Sequence, residues 1–175
     1  MVSNRDQRFI EIAADQASRS QCLMRHGCVA VMNGRIIGRG FNNYRCHSND
    51  GFIQNTMTCH AEIAALREVN KRGKKTRKIT LYVVRLDSNN TLKASAPCVD
   101  CMKRINMMGV KRVIHSTNTG TIVIQNPNIC VNHITTGRRI LMGEWHIINV
   151  IHIKIKRSNI VMNGIILLLF FFAGA

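Results

Sequence analysis

Two short stretches carry residue types able to hold a metal and move protons: Cys59-His60-Ala61-Glu62 and Pro97-Cys98-Val99-Asp100-Cys101. Cys98 and Cys101 are three apart, a spacing that sets two sulfurs on one side of a helical turn. His60 and Glu62 are two apart and diverge by about 200° on such a turn. One of that pair can bind a metal while the other leans over the open coordination position. Thiolates are favoured where a helix begins, because its free N–H groups and dipole carry partial positive charge. With His60, Cys98 and Cys101 as ligands, one tetrahedral position stays open, the arrangement of a catalytic zinc. Water at that position can lose its proton near about pH 7. A lone C-x-x-C also suits a redox pair or half of a structural zinc site, and a lone H-x-E arises by chance. The two together, in this order, carry the argument.

Both stretches sit where the pattern predicts helix starts. Residues 4–20 place Phe9, Ile10, Ile12, Ala13 and Ala17 on one helical face. Two apolar runs, 28–32 and 35–41, flank Asn33-Gly34. That predicts a hairpin, since a tight two-residue turn needs positive φ at both centres. A helix is expected from near Thr58 to about Arg72, burying Ile63, Ala64, Leu66 and Val69, with Gly73 at its stop. Residues 79–84 read as a buried strand and 87–94 as a loop. Pro97 then suits the first position of a third helix reaching about Gly109, and Val113 to His115 a fourth strand. Thr121 to Ile124 reads either as a fifth strand or as a short excursion. A hairpin followed by strand–helix–strand alternation predicts the α/β class: three α/β/α layers, with a mixed sheet of an N-terminal antiparallel hairpin and parallel later strands.

A chain of 175 residues suffices for one core, and 46% hydrophobic residues exclude disorder along its whole length. Lys and Arg number 25 against 9 acids, a net charge of +16. That surplus favours anionic partners without choosing among nucleotides, nucleic acid and an acidic membrane surface. The polar N-terminus lacks the apolar core of a secretory signal, and seven cysteines fit a disulfide framework poorly. The expectation is a protein of the cytosol or nucleus, with the cytoplasmic reading first, and with reduced thiols.

H-A-E followed by P-C-V-D-C resembles the zinc cytidine and deoxycytidylate deaminase superfamily. Cys28-Val29-Ala30-Val31 with Asn33-Gly34 and Ile37 to Asn42 is similar to that family's first hairpin. Leu81-Tyr82-Val83 resembles the strand before its cysteine motif, and Met108 to Ile114 the helix-to-strand exit after it. The resemblance covers about residues 5–116 and is closest to the deoxycytidylate branch. It implies a cytidine-deaminase-like fold with Zn2+ held by His60, Cys98 and Cys101. It implies that Glu62 takes a proton from the zinc-bound water and delivers protons to the ring nitrogen and the leaving amine. Asn42 would hydrogen-bond the sugar or phosphate part of the substrate. Ala96 departs from the Glu or Ser often found before Pro-Cys, which bears on the substrate more than on the metal. The implied reaction is hydrolysis of dCMP to dUMP with release of ammonia, by a homo-oligomer active in nucleotide metabolism. One rival is adenosine deamination on tRNA, which the +16 charge suits. A second is a catalytically silent, zinc-stabilised nucleic-acid-binding protein, which an intact Glu62 opposes.

Other features read more plainly. Cys22, Cys28, Cys46, His47 and Cys59 could form a second, structural zinc site, but burial of Cys22 and Cys28 as small apolar residues is the simpler reading. Seven basic residues between Arg67 and Lys78 suit a solvated helix end better than a nucleic-acid platform, since few aromatics interleave them. The deaminase domain is expected to span 1–139. Residues 140–175 form a basic, then apolar, extension. Ile151, Ile153 and Ile155 alternate as in a strand, and Ile165 to Ala173 is an apolar run shorter than the roughly 20 residues of a membrane span. Packing in the core or in an oligomer is the first reading of that run, weak membrane association the second, and a tail biased by codon composition with little selected function the third.

Overall fold

A computed structural model of the chain describes residues 2–54, 56–73, 78–129 and 133–143. Residues Met1–Gly137 form one compact unit, and Arg138–Ala175 a second. The expectations for residues 151–155 and 165–173 lie outside the described residues.

Helix α1 spans Asn4–Ser18, and its N-cap Ser3 accepts from the Asp6 amide. The hairpin follows as β1, Arg25–Met32, and β2, Arg35–Phe41, paired antiparallel. Asn33 and Gly34 have φ of 51° and 74°, as the tight turn demands. Helix α2 is Ala61–Lys71, β3 is Ile79–Leu86, β4 is Leu92–Lys93 and α3 is Val99–Met107. Then come β5, Val110–Ser116, β6, Ile122–Gln125, and α4, Thr136–Leu141. The sheet order is β2-β1-β3-β5-β6, with β4 on β3.

Period-two alternation divides the core between the two faces of this sheet. Cys28, Ala30, Leu81, Val83 and Val113 face α2 and α3. Val29, Val31, Tyr82, Val84 and Ile114 face Phe9, Ile10, Ala13 and Ala17 of α1. The result is the α/β/α layering that the sequence predicts. Tyr82 donates to Asp6 at 2.6 Å and so ties α1 to the middle of the sheet. Opposite, α2 lies almost on β2: a Cβ at Gly40 would come within 2.4 Å of the Ala65 nitrogen, and one at Gly38 within 2.4 Å of the Ala65 oxygen. Only glycine permits that approach, which sets how deep the start of α2 sits.

β3 and β5 pair parallel, as the sequence predicts, and the 121–124 stretch, open between strand and excursion, is the strand β6, which returns antiparallel on β5. A tight turn from Thr117 to Thr121 makes this possible, since Thr117 N–H bonds Thr121 O across it. The 87–94 segment is not all loop, because Leu92 and Lys93 pair with Leu86 and Arg85. Helix α2 begins at Ala61 rather than near Thr58, because Cys59 is held extended in a bridge to Asn43. Pro97 precedes the cap rather than occupying the first helical turn, and Cys98 is the N-cap of α3.

Candidate active site

His60 and Cys98 are the N-cap residues of α2 and α3, both in extended backbone conformation, with φ/ψ of −75°/154° and −75°/171°. Neither makes a side-chain capping hydrogen bond. Their side chains instead turn to each other. The extended cap conformation frees each side chain from the helical rows, so imidazole and thiol can meet between two helix starts. Cys101 follows one turn into α3 and is 1% exposed.

The three ligand atoms lie within 4.8 Å of one another. His60 Nδ1 is 3.2 Å from Cys101 Sγ and 3.5 Å from Cys98 Sγ. A tetrahedral zinc with Zn–S near 2.3 Å and Zn–N near 2.0 Å separates its nitrogen and sulfur ligands by roughly 3.5 Å. The set therefore fits such an ion in size as well as in chemistry. Among the described residues no other group of His, Cys, Asp or Glu converges this way. Cys28 is buried, and burial pushes its thiol well up, as befits a small apolar core residue.

The electrostatics show protons standing where a cation would bind. The Cys101 thiol bonds to Cys98, and with His60 this outweighs burial and pulls Cys98 down to about 4. The same bond, with burial, pushes Cys101 up. Burial alone would lower His60, but the bond to Cys98 and the charges of Glu62 and Cys98 lift it to about 9. A thiolate, a thiol and an imidazolium thus share one small volume.

Glu62, the second residue of α2, is 5% exposed. Burial pushes its carboxyl up, against the pull of His60. It interacts with the Cys101 side chain, so it lies beside the ligand set. Asn42 is placed differently from a residue aimed only at substrate. Its Oδ1 accepts from the His26 amide at 2.7 Å, and its Nδ2 donates to the Met24 oxygen at 2.7 Å. Asn42 thereby pins the start of β1, while each end of its amide keeps one further bonding capacity.

Sequence reasoning missed three residues around this centre. Ser95 is buried and donates to the Val83 oxygen at 2.7 Å, while its amide and Oγ bond the Ser116 backbone. These bonds clamp the chain to β3 and β5 two residues before Pro97, and so fix where Cys98 stands. His26 and Arg85 occupy facing positions on β1 and β3. Extending the alternation from Cys28 and Val83 by two residues would have found both. In the basic stretch after Arg67, Arg67 pairs with Asp50 and Arg72 with Glu68, as expected of a solvated helix face.

A mixed sheet flanked by helices, with a His/Cys/Cys set and a buried glutamate at two helix starts, defines the class. The chain belongs to the cytidine and deoxycytidylate deaminase family, whose zinc-binding region matches residues 3–117. It is 32% identical over 126 residues to a deoxycytidylate deaminase of Saccharomyces cerevisiae, a match covering 63% of this chain and 37% of that one. It is 34% identical over 118 residues to a tRNA-specific adenosine deaminase of Buchnera aphidicola, covering 65% and 67%. Among solved structures, the dCMP deaminase from the cyanophage S-TIM5 aligns with a TM-score of 0.51 at 27% identity, covering 68% of this chain and 87% of that one. The same enzyme in complex with dCMP and dUMP aligns at 0.50, with 25% identity over 67% and 85%. No helix among the described residues is long and apolar enough to cross a membrane.

Proposed function

We propose that this protein is a zinc-dependent hydrolytic deaminase of a cytosine nucleotide, converting dCMP to dUMP with release of ammonia. The observation that carries the reading is the convergence of His60, Cys98 and Cys101 beside the buried Glu62. Similarity to the yeast and cyanophage deoxycytidylate deaminases supports the choice of substrate.

His60, Cys98 and Cys101 hold the ion. Zinc, when bound, supplies a Lewis acid that acidifies water at neutral pH. Glu62 takes a proton from the attacking water as its oxygen bonds to C4 of the base. It passes that proton to the ring nitrogen, then takes the proton of the new C4 hydroxyl and delivers it to the exocyclic amine as the bond from C4 to that amine breaks and the C4 carbonyl forms. The products are the keto base and ammonia. Burial suits Glu62 to this, since it raises the carboxyl above its ordinary range and so makes it a stronger base than an exposed carboxylate. Asn42 hydrogen-bonds the sugar or phosphate part of the substrate with the donor hydrogen that its bond to the Met24 oxygen leaves over.

Deamination of adenosine in tRNA is the second reading, favoured by the Buchnera relative and the +16 charge. Ammonia release by zinc-loaded protein, compared across dCMP, deoxycytidine, cytidine and adenosine in tRNA, decides between them. Turnover of dCMP in preference to the rest is the expected result. Release from tRNA alone would overturn the proposal.

A further inference from the structure

The sheet carries two polar side chains on its site face that the reaction above does not use. His26 of β1 and Arg85 of β3 are register partners. By alternation they lie on the face of Cys28 and Ala30, and of Leu81 and Val83, the face that packs against α2 and α3. Both stand at the carboxyl end of β3, from which the chain turns through β4 back to Cys98. The charges of Arg85, His60 and Cys98 all act on the His26 imidazole. The Arg85–His26 pair and the ligand set therefore share one electrostatic neighbourhood.

Arg85 is half-buried, yet no ion pair among the described residues uses it. Its guanidinium reaches the Met24 sulfur at 3.9 Å. Asp87, the carboxylate nearest in sequence, is committed to Thr91 and Lys93. Among the described residues, the hydrogen bond of the His26 ring is to the Met24 oxygen, at 3.2 Å. A half-buried guanidinium without a counter-charge is costly to keep, and its fork of N–H groups matches a phosphate bidentately.

We propose that Arg85, with His26 facing it, anchors the substrate's phosphate and so makes a nucleoside monophosphate, rather than a free nucleoside, the preferred substrate. The inference rests on the cytosine-deaminase reading of the neighbouring centre. A phosphate anchor distant from the reacting carbon binds ground state and transition state alike, so it acts on KM and leaves kcat nearly unchanged.

The test uses the full zinc-loaded chain and calorimetric binding of dUMP and deoxyuridine. The parent should bind dUMP at least about tenfold more tightly than deoxyuridine. R85Q should weaken dUMP ten- to a hundredfold and leave deoxyuridine unchanged, and R85K should recover part of the loss, as a point charge without the fork. R39Q, on the exposed edge strand β2, should change neither. In turnover, R85Q should raise KM for dCMP at constant kcat. A dUMP preference that survives R85Q, an equal loss for both ligands, or a parent without any preference would each overturn the proposal. If the parent deaminates no cytosine compound but its dUMP preference still depends on Arg85, the deaminase reading fails and the phosphate anchor stands.

Discussion

At the scale of single residues, the centre works by separating two roles on one short helix turn. His60, as N-cap, leaves the helical rows to meet the sulfurs, while Glu62 stays on the helix and is buried beside them. E62Q isolates proton transfer from metal binding, because the amide keeps the shape and loses the proton. It should retain full zinc content and lose about 10²- to 10⁴-fold in ammonia release. A variant that keeps most of its rate would show that another group moves the proton. Metal binding has its own pH signature. His60, raised to about 9, and Cys101, pushed up by its bond to Cys98, both hold protons near neutrality. A cation must displace them, so zinc affinity should rise with pH, by up to about a hundredfold per unit for two protons released. Competition titrations with a chelator from about pH 6.5 to 8.5 measure that slope. A flat profile would mean that the set does not carry those protons.

At the scale of elements, the site depends on how closely the helices approach the sheet. The Asp6–Tyr82 bond fixes α1 to β3 from the face opposite the site. Burial raises the Asp6 carboxyl, but bonds from Tyr82 and Ser3 outweigh it and hold the group below the ordinary carboxylate range. A depressed native pKa contributes stability that is present above the unfolded value, about 3.9, and lost as pH falls through the native one. Y82F should therefore destabilise the protein by about 1.5–3 kcal/mol at pH 7, the usual worth of a hydrogen bond to a charged group. The difference from the parent should shrink below about pH 4. Urea denaturation at both pH values reads it directly, and a gap that widens in acid would contradict the assignment. These elements were legible in the sequence to unequal degrees. The hairpin was plain because Asn33-Gly34 announces its turn chemistry. The starts of α2 and α3 were misplaced by a few residues because His60 and Cys98, which cap them, are not capping types such as Ser or Asp. Strand β4 was hidden because two residues carry no period. Arg85 and His26 were missed for a related reason: alternation names the face of a residue only once the strand is known to reach that far.

At the scale of the whole molecule, the question is how much of the chain the chemistry needs. Every residue of the centre lies within Met1–Gly137. One tie to the site comes late in the chain: the Val99 amide, at the first turn of α3, donates to the His133 oxygen at 3.0 Å. Earlier, Asn106 donates to the Pro127 oxygen at 3.2 Å. We propose the boundary of the catalytic unit near residue 139, with 140–175 as an extension that serves assembly or solubility. Its run from Ile165 to Phe172 is contiguous and apolar, and a patch of that kind seldom stays in water. A chain ending at Arg139 should keep its zinc, its melting temperature within a few degrees and most of its ammonia release, while sedimenting as a smaller species than the full chain. A chain ending at Pro127 should bind zinc more weakly, because the amide beside Cys98 then loses the His133 carbonyl at a cost of about 1–3 kcal/mol. The two cuts bracket the same argument from either side. If the longer fragment is soluble and zinc-loaded yet inactive, residues beyond 139 complete the substrate site, and the boundary must move into the extension.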